Sequence, residues 1–241
     1  MSPPRFLVFG ATGYTGRHVV QDALSRGIPV VAHLRPGSPR SATVGEKLAN
    51  AGAELAEVPW SEPEVRALVE RVQPTHVFAL LGITKAGARR EAARTGQLPS
   101  YAQVDTGYTK WVVDACAAQA SAPRLVYLSS LGADSPRGNA YLKARHAVEQ
   151  HLHSTRLPYL VARPSFISGT DRDESRPGER FGSVVADAGL GLLGLLGARS
   201  LRDRYVTVSG TDLGRMLVTA ALSEAHVRCA VDMVDLRALD R

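Results

Sequence analysis

The sequence predicts an α/β fold, a doubly wound parallel sheet with helices on both faces, and three observations predict it. Short apolar runs alternate with helical periodicity through most of the chain. The first apolar run passes through Gly10, Gly13 and Gly16 straight into a helical pattern. The length of 241 residues suits one domain with a substantial core. In chain order, Phe-Leu-Val-Phe at 6–9, Val-Val-Ala-His-Leu at 30–34, and the segments 54–58, 76–81, 125–128 and 159–162 read as strands. Helical patterns at 16–26, 42–51, 62–72, 101–118 and 141–154 connect them. Residues 82–99, carrying Lys85, Arg89, Arg90 and Arg94, read as a long, basic, solvated connection. After Arg163-Pro164 the alternation fails, and a polar stretch at 170–179 precedes an apolar, glycine-rich one at 184–197. Residues 1–241 are therefore expected to form a single domain, within which 164–241 is mostly a small C-terminal substrate lobe.

Composition excludes several classes. Hydrophobic residues make up 44% and charged residues 22%, ordinary for a globular protein. No apolar run approaches the roughly 20 residues that span a bilayer, and the N-terminal Met-Ser-Pro-Pro-Arg does not read as a signal peptide. A cytoplasmic location is the expectation. Cys116 and Cys229 belong to no Cys-x-x-Cys pair or metal-ligand cluster, so no metal is expected. The net charge of +6 comes from scattered arginines without a nucleic-acid motif. A basic cavity for a phosphorylated small molecule accounts for it better than nucleic acid or a membrane surface.

The turn Gly10-Ala11-Thr12-Gly13-Tyr14-Thr15-Gly16 carries the most chemistry. Gly10 permits the tight turn off the strand, Gly13 admits a pyrophosphate close to the backbone, and Gly16 lets the helix pack on the sheet. Free N–H groups and the helix dipole would hold the phosphates. NAD binders usually end the second strand with a carboxylate for the adenosine ribose, whereas NADP binders offer arginine to its 2′-phosphate. Here that strand ends in His33-Leu34-Arg35, and no carboxylate lies between Asp22 and Glu46. With Arg35, Ser38 and Arg40 at hand, NADP(H) is favoured over NAD(H).

The second centre follows Leu125-Val126-Tyr127-Leu128, a strand ending in Ser129-Ser130. Tyr141 opens a helix, and Arg145 stands four residues on, on the same face. Lys143 should point to the opposite side. A free phenol, with a pKa near ~10, needs an adjacent cation to exchange protons at neutral pH. Arg145 supplies such a field but, always protonated, cannot relay a proton as lysine can.

Together the glycine turn, Leu81-Gly82-Ile83-Thr84, Val104-Asp105, Leu128 to Asp134, Tyr141-Leu142-Lys143-Ala144-Arg145 and Arg163-Pro164 resemble an atypical NAD(P)-binding short-chain dehydrogenase/reductase with a Rossmann fold. The run Asp173-Glu174-Ser175-Arg176-Pro177-Gly178-Glu179 resembles the Tat-interacting-protein oxidoreductase branch. The resemblance implies that Thr12, Gly13, Tyr14 and Thr15 line the phosphates and that Leu81 and Gly82 flank the adenine ribose. It also implies that Tyr141 and Arg145 approach the nicotinamide ribose, and that Phe166, Ile167 and Arg176 touch or close over the nicotinamide end. Where the family has lysine, this chain has Arg145.

Two functions of different class follow. One is an NADPH-dependent reductase of a small carbonyl compound, with Tyr141 as proton donor, Ser130 orienting the oxygen and Arg145 fixing the ribose and tuning Tyr141. The other is an NADP(H)-binding regulator or redox sensor with little or no turnover. The substrate is not named by these residues. A homodimer through 101–118 and 141–154, or a protein partner, stays open.

Overall fold

Phe6–Phe9 forms β1, and all four of its residues are buried. The computed structural model describes residues 3–83, 85–165, 167–168 and 207–240. Along them run β1, α1 (Tyr14–Ser25), β2 (Val30–Leu34), α2 (Pro39–Asn50), β3 (Glu54–Glu57), α3 (Glu62–Val72), β4 (His76–Ala79) and α4 (Lys85–Thr95). A π-helical segment, Ala102–Tyr108, leads into α5 (Thr109–Ala117), then β5 (Arg124–Leu128), α6 (Ala140–Ser154), β6 (Tyr159–Arg163) and β7 (Ile167–Ser168). The described C-terminal part contains β8 (Val208–Ser209), α7 (Gly210–Leu222), β9 (Cys229–Asp232) and α8 (Met233–Leu239).

Seven strands make one parallel sheet in the order β3-β2-β1-β4-β5-β6-β9, and β7 pairs with β8 in a second, short parallel pair. The doubly wound sheet expected from the alternation is therefore present. Two-residue periodicity divides β1 between two cores. Phe6 and Val8 pack with Val19 and Val20 of α1 and Leu213 and Leu217 of α7. Leu7 and Phe9 face Val65 and Leu68 of α3 and Val112 and Cys116 of α5. Each such side chain, removed from water, contributes about 1.5–3 kcal/mol.

Two local expectations need correction. The connection at 82–99 contains α4, a helix rather than a solvated loop. Its sequence is rich in alanine and arginine, which favour helix intrinsically, but it lacks the apolar stripe that periodicity detects. The irregular tail also returns to the main sheet: β9 pairs with β6, and α7 packs over it. Residues 169–206, including the 170–179 and 184–197 stretches, lie outside the described residues. Cys116 is buried and Cys229 half-buried, both as free thiols; burial pushes the Cys116 thiol up. No described helix is long and apolar enough to cross a membrane.

Candidate active site

From β1 the sheet is built in both directions, toward β2 and β3 on one side and toward β4, β5, β6 and β9 on the other. Connections leaving β1 and β4 diverge there and open a crevice at the carboxyl ends of the strands. A cavity of about 890 Å³ occupies that position, lined by Gly10, Thr12, Gly13, Tyr14 and Thr15 from the first turn and by Leu80, Leu81, Gly82 and Ile83 after β4. Gly10 has φ +83°, and a Cβ on it would lie 2.7 Å from the Leu80 carbonyl oxygen. A Cβ on Gly16 would stand 2.1 Å from the Gly10 oxygen. No other residue closes this turn. The Gly13 amide donates to Gly10 O at 2.9 Å, and the N-cap of α1 is Gly13, which has no side chain to cap it. The cradle fits a diphosphate: a tight turn, a bare backbone approach and a helix N-terminus aimed at one place. Tyr14 lines the cavity while its hydroxyl accepts from the Gly210 amide at 3.2 Å.

At the far side stand Tyr141 and Arg145, both lining the same cavity. Asn139 accepts from the Leu142 amide at 3.0 Å, a cap that fixes the start of α6 and places Tyr141 in its first turn. The Arg145 side chain is 5% exposed. Its Cζ lies 5.1 Å from the centre of the Tyr141 ring and 5.7 Å from that of Tyr127. Arg145 Nη1 donates to Leu128 O at 2.7 Å, and Nη2 meets Asp105 Oδ1 at 2.9 Å. Burial works against its charge, but the Tyr127 and Tyr141 rings and Asp105 outweigh it and hold the guanidinium protonated. Burial likewise pushes the Tyr127 phenol up to about 12 against the pull of Arg145. Lys143 is exposed and lines a separate groove, on the side opposite Arg145 as helical spacing predicts.

Asp105, wholly buried, is a member of this site that sequence reasoning passed over. It lies in the π-helical segment and accepts from the Ile83 amide at 3.1 Å, tying the β4 loop to α6 through Arg145. Burial raises its carboxyl, partly offset by Arg145 and that amide. A buried arginine requires a counter-ion, but Gln103, Thr106 and Lys110 around Asp105 give no apolar pattern to mark it as that partner. Gly82 completes the arrangement, since a Cβ there would lie 2.5 Å from Arg145 Nη2.

The two serines differ. Ser129 lines the cavity and donates to Glu149 at 2.5 Å, a carboxylate also held by Arg163. Ser130 is half-buried beside it, its hydroxyl 3.5 Å from Leu131 O, and is not among the lining residues. Ile167 lines the cavity, whereas Phe166 and Arg176 lie outside the described residues.

Arg35, Ser38 and Arg40 also line the cavity. Arg35 makes a bidentate contact with Glu91 of α4, at 3.0 and 2.8 Å. His33 donates through Nε2 to Val58 O at 2.8 Å, and burial lowers its pKa to about 4. Its ring packs on Phe9 and on Trp60, which stacks in turn on Tyr108.

The family model for NAD(P)H-binding proteins matches residues 10–186, more than half of the chain. The chain belongs to this NAD(P)H-binding family. No curated protein matches its sequence. A Bacillus halodurans protein named for the NAD-dependent epimerase/dehydratase class superposes with a TM-score of 0.65 at 16% identity, over 94% of this chain and 92% of that one. The leucoanthocyanidin reductase–NADPH complex from Vitis vinifera gives 0.63 at 15% identity, over 94% and 67%. AtPrR2 with NADP+ and (+)pinoresinol gives 0.63 at 14% identity, over 98% and 74%. At these identities the likeness establishes the fold, a Rossmann-type NAD(P)-binding sheet.

Proposed function

We propose that this NAD(P)H-binding protein is an NADPH-dependent oxidoreductase of the atypical short-chain dehydrogenase/reductase type, reducing a small carbonyl compound in the cytoplasm. The observation that carries the reading is the placement of Tyr141 and the Arg145 guanidinium on the wall of the cavity that the glycine turn opens. The reductases among the structural neighbours support it, and the run Asp173 to Glu179 resembles the Tat-interacting-protein branch.

The Gly10–Gly16 turn would hold the diphosphate, Leu81 and Gly82 would flank the adenosine ribose, and Arg35 would receive the 2′-phosphate. When bound, the reduced coenzyme supplies hydride. Tyr141 gives its proton to the substrate oxygen, so that carbonyl, hydride and proton together yield an alcohol. Ser130 is assigned to orient the oxygen; it stands beside Ser129, the serine on the cavity wall, which donates to Glu149. Arg145 places fixed positive charge beside the ring that loses the proton. Ile167, on the cavity wall, would touch the nicotinamide end.

Engagement of both terminal nitrogens of Arg145, by Asp105 and Leu128, favours a second reading, a redox sensor or regulator that binds NADP(H) with little turnover. NADPH oxidation across a carbonyl panel, run beside an NADPH-induced thermal shift, separates the two. The reductase reading expects turnover that Tyr141→Phe abolishes while the thermal shift persists. Equal turnover in both proteins excludes Tyr141 as the acid, and a thermal shift without turnover favours the sensor. Arg35→Glu is expected to reverse the coenzyme preference, and an unchanged NADPH/NADH affinity ratio refutes the role given to Arg35.

A further inference from the structure

We infer that Glu91 on α4 is a determinant of coenzyme discrimination, acting through the Arg35 guanidinium. This rests on reading the cavity as an NADP(H) site. Both terminal nitrogens of Arg35 are committed, Nη1 to Glu91 Oε1 at 3.0 Å and Nη2 to Oε2 at 2.8 Å. Both residues line the cavity, and the Glu91 side chain is 17% exposed. This planar two-point contact is the one a guanidinium offers to phosphate.

A 2′-phosphate that takes the same two nitrogens must displace Glu91; one that binds beside the pair meets the carboxylate's like charge. Either way Glu91 weakens NADPH binding. A 2′-hydroxyl has the opposite requirement. It needs an acceptor, and Glu91, oriented by Arg35, is a carboxylate at the adenosine end of the cavity. The acceptor that other dinucleotide folds place at the end of the second strand is here supplied from α4, 56 residues further along the chain. Glu91 therefore narrows the preference for NADPH over NADH, while Arg35 is what makes that preference possible.

The test measures dissociation constants of the full chain for NADPH and for NADH by calorimetry, in wild type, Glu91→Gln, Glu91→Ala, Arg35→Ala and the Arg35→Ala/Glu91→Gln double variant. Thermal unfolding verifies that each is folded, and Glu91→Ala serves should Glu91→Gln not be. Releasing Arg35 from a partly screened ion pair is expected to move the NADPH/NADH affinity ratio toward NADPH by about three- to tenfold. In the Arg35→Ala background the shift should shrink, because only the carboxylate's own charge is then left to act. An unchanged ratio in the Glu91 variants, a shift toward NADH, or a shift of undiminished size without Arg35 overturns the inference and leaves the coenzyme reading standing. Failure of wild type to bind either coenzyme overturns both.

Discussion

Replacing Asp105 by asparagine removes a charge while keeping the shape of the side chain, and its cost follows from the burial of the pair. Asp105 is 0% and Arg145 5% exposed by side chain, with Nη2 and Oδ1 2.9 Å apart. Asparagine still accepts from the Ile83 amide, and Leu128 O still accepts from Arg145, so packing and two hydrogen bonds survive. What remains is a guanidinium deep in the protein without its counter-ion. Such half-broken buried pairs cost about 3–5 kcal/mol, a large part of the roughly 5–15 kcal/mol that keeps a domain folded. For a chain of this size the melting temperature should fall by roughly 6–20 °C. Urea unfolding followed by circular dichroism, on wild type, Asp105→Asn, Arg145→Met and the double variant, measures this as a coupling energy. The double variant should be more stable than the sum of the single losses predicts. A loss under about 1 kcal/mol in Asp105→Asn, the range of exposed pairs, or strict additivity in the double variant refutes the reasoning.

Acid should destabilise the protein through two histidines held neutral. Burial lowers His33 from 6.5 to about 4, and burial with the Arg124 charge lowers His76 equally. Between pH 6.5 and 4 the unfolded chain takes up protons that the folded chain refuses, so stability falls as pH falls, by about 3 kcal/mol for His33 and less for the more hydrated His76. Asp105, its carboxyl raised by burial, acts in the opposite sense. His33→Phe isolates one contribution, and urea midpoints at pH 7 and pH 5 should differ less in that variant than in wild type. Gly16→Ala forces a methyl to 2.1 Å from the Gly10 oxygen; an overpacking cost of about 1–3 kcal/mol and weakened coenzyme binding should show in thermal melts and NADPH titration. Arg145→Lys keeps the charge but loses the fork that serves Leu128 and Asp105 together, so it should lower the melting temperature less than Arg145→Met.

The strands and the first turn were legible because their causes are local. Phe6 to Phe9 is an unbroken apolar run, and Gly10 and Gly16 stand where a Cβ meets backbone within six residues or across one neighbouring strand. Tyr141 and Arg145 were legible as a pair because four residues make one helical turn. Glu91 was not, since α4 carries no apolar stripe and its meeting with Arg35 spans 56 residues. Asp105 was quoted in a motif, yet nothing near it in sequence announces the π-helical winding or the arginine 40 positions on.

Hydrophobic periodicity and glycine placement by themselves determined an α/β domain with a dinucleotide cradle, because both act through neighbours along the chain. Only the tertiary structure decided which charges meet: Arg145 with Asp105, Arg35 with Glu91 and Arg163 with Glu149. An ion pair depends on distance in space and on exclusion of water, and those are settled only when separate helices and strands close on one another.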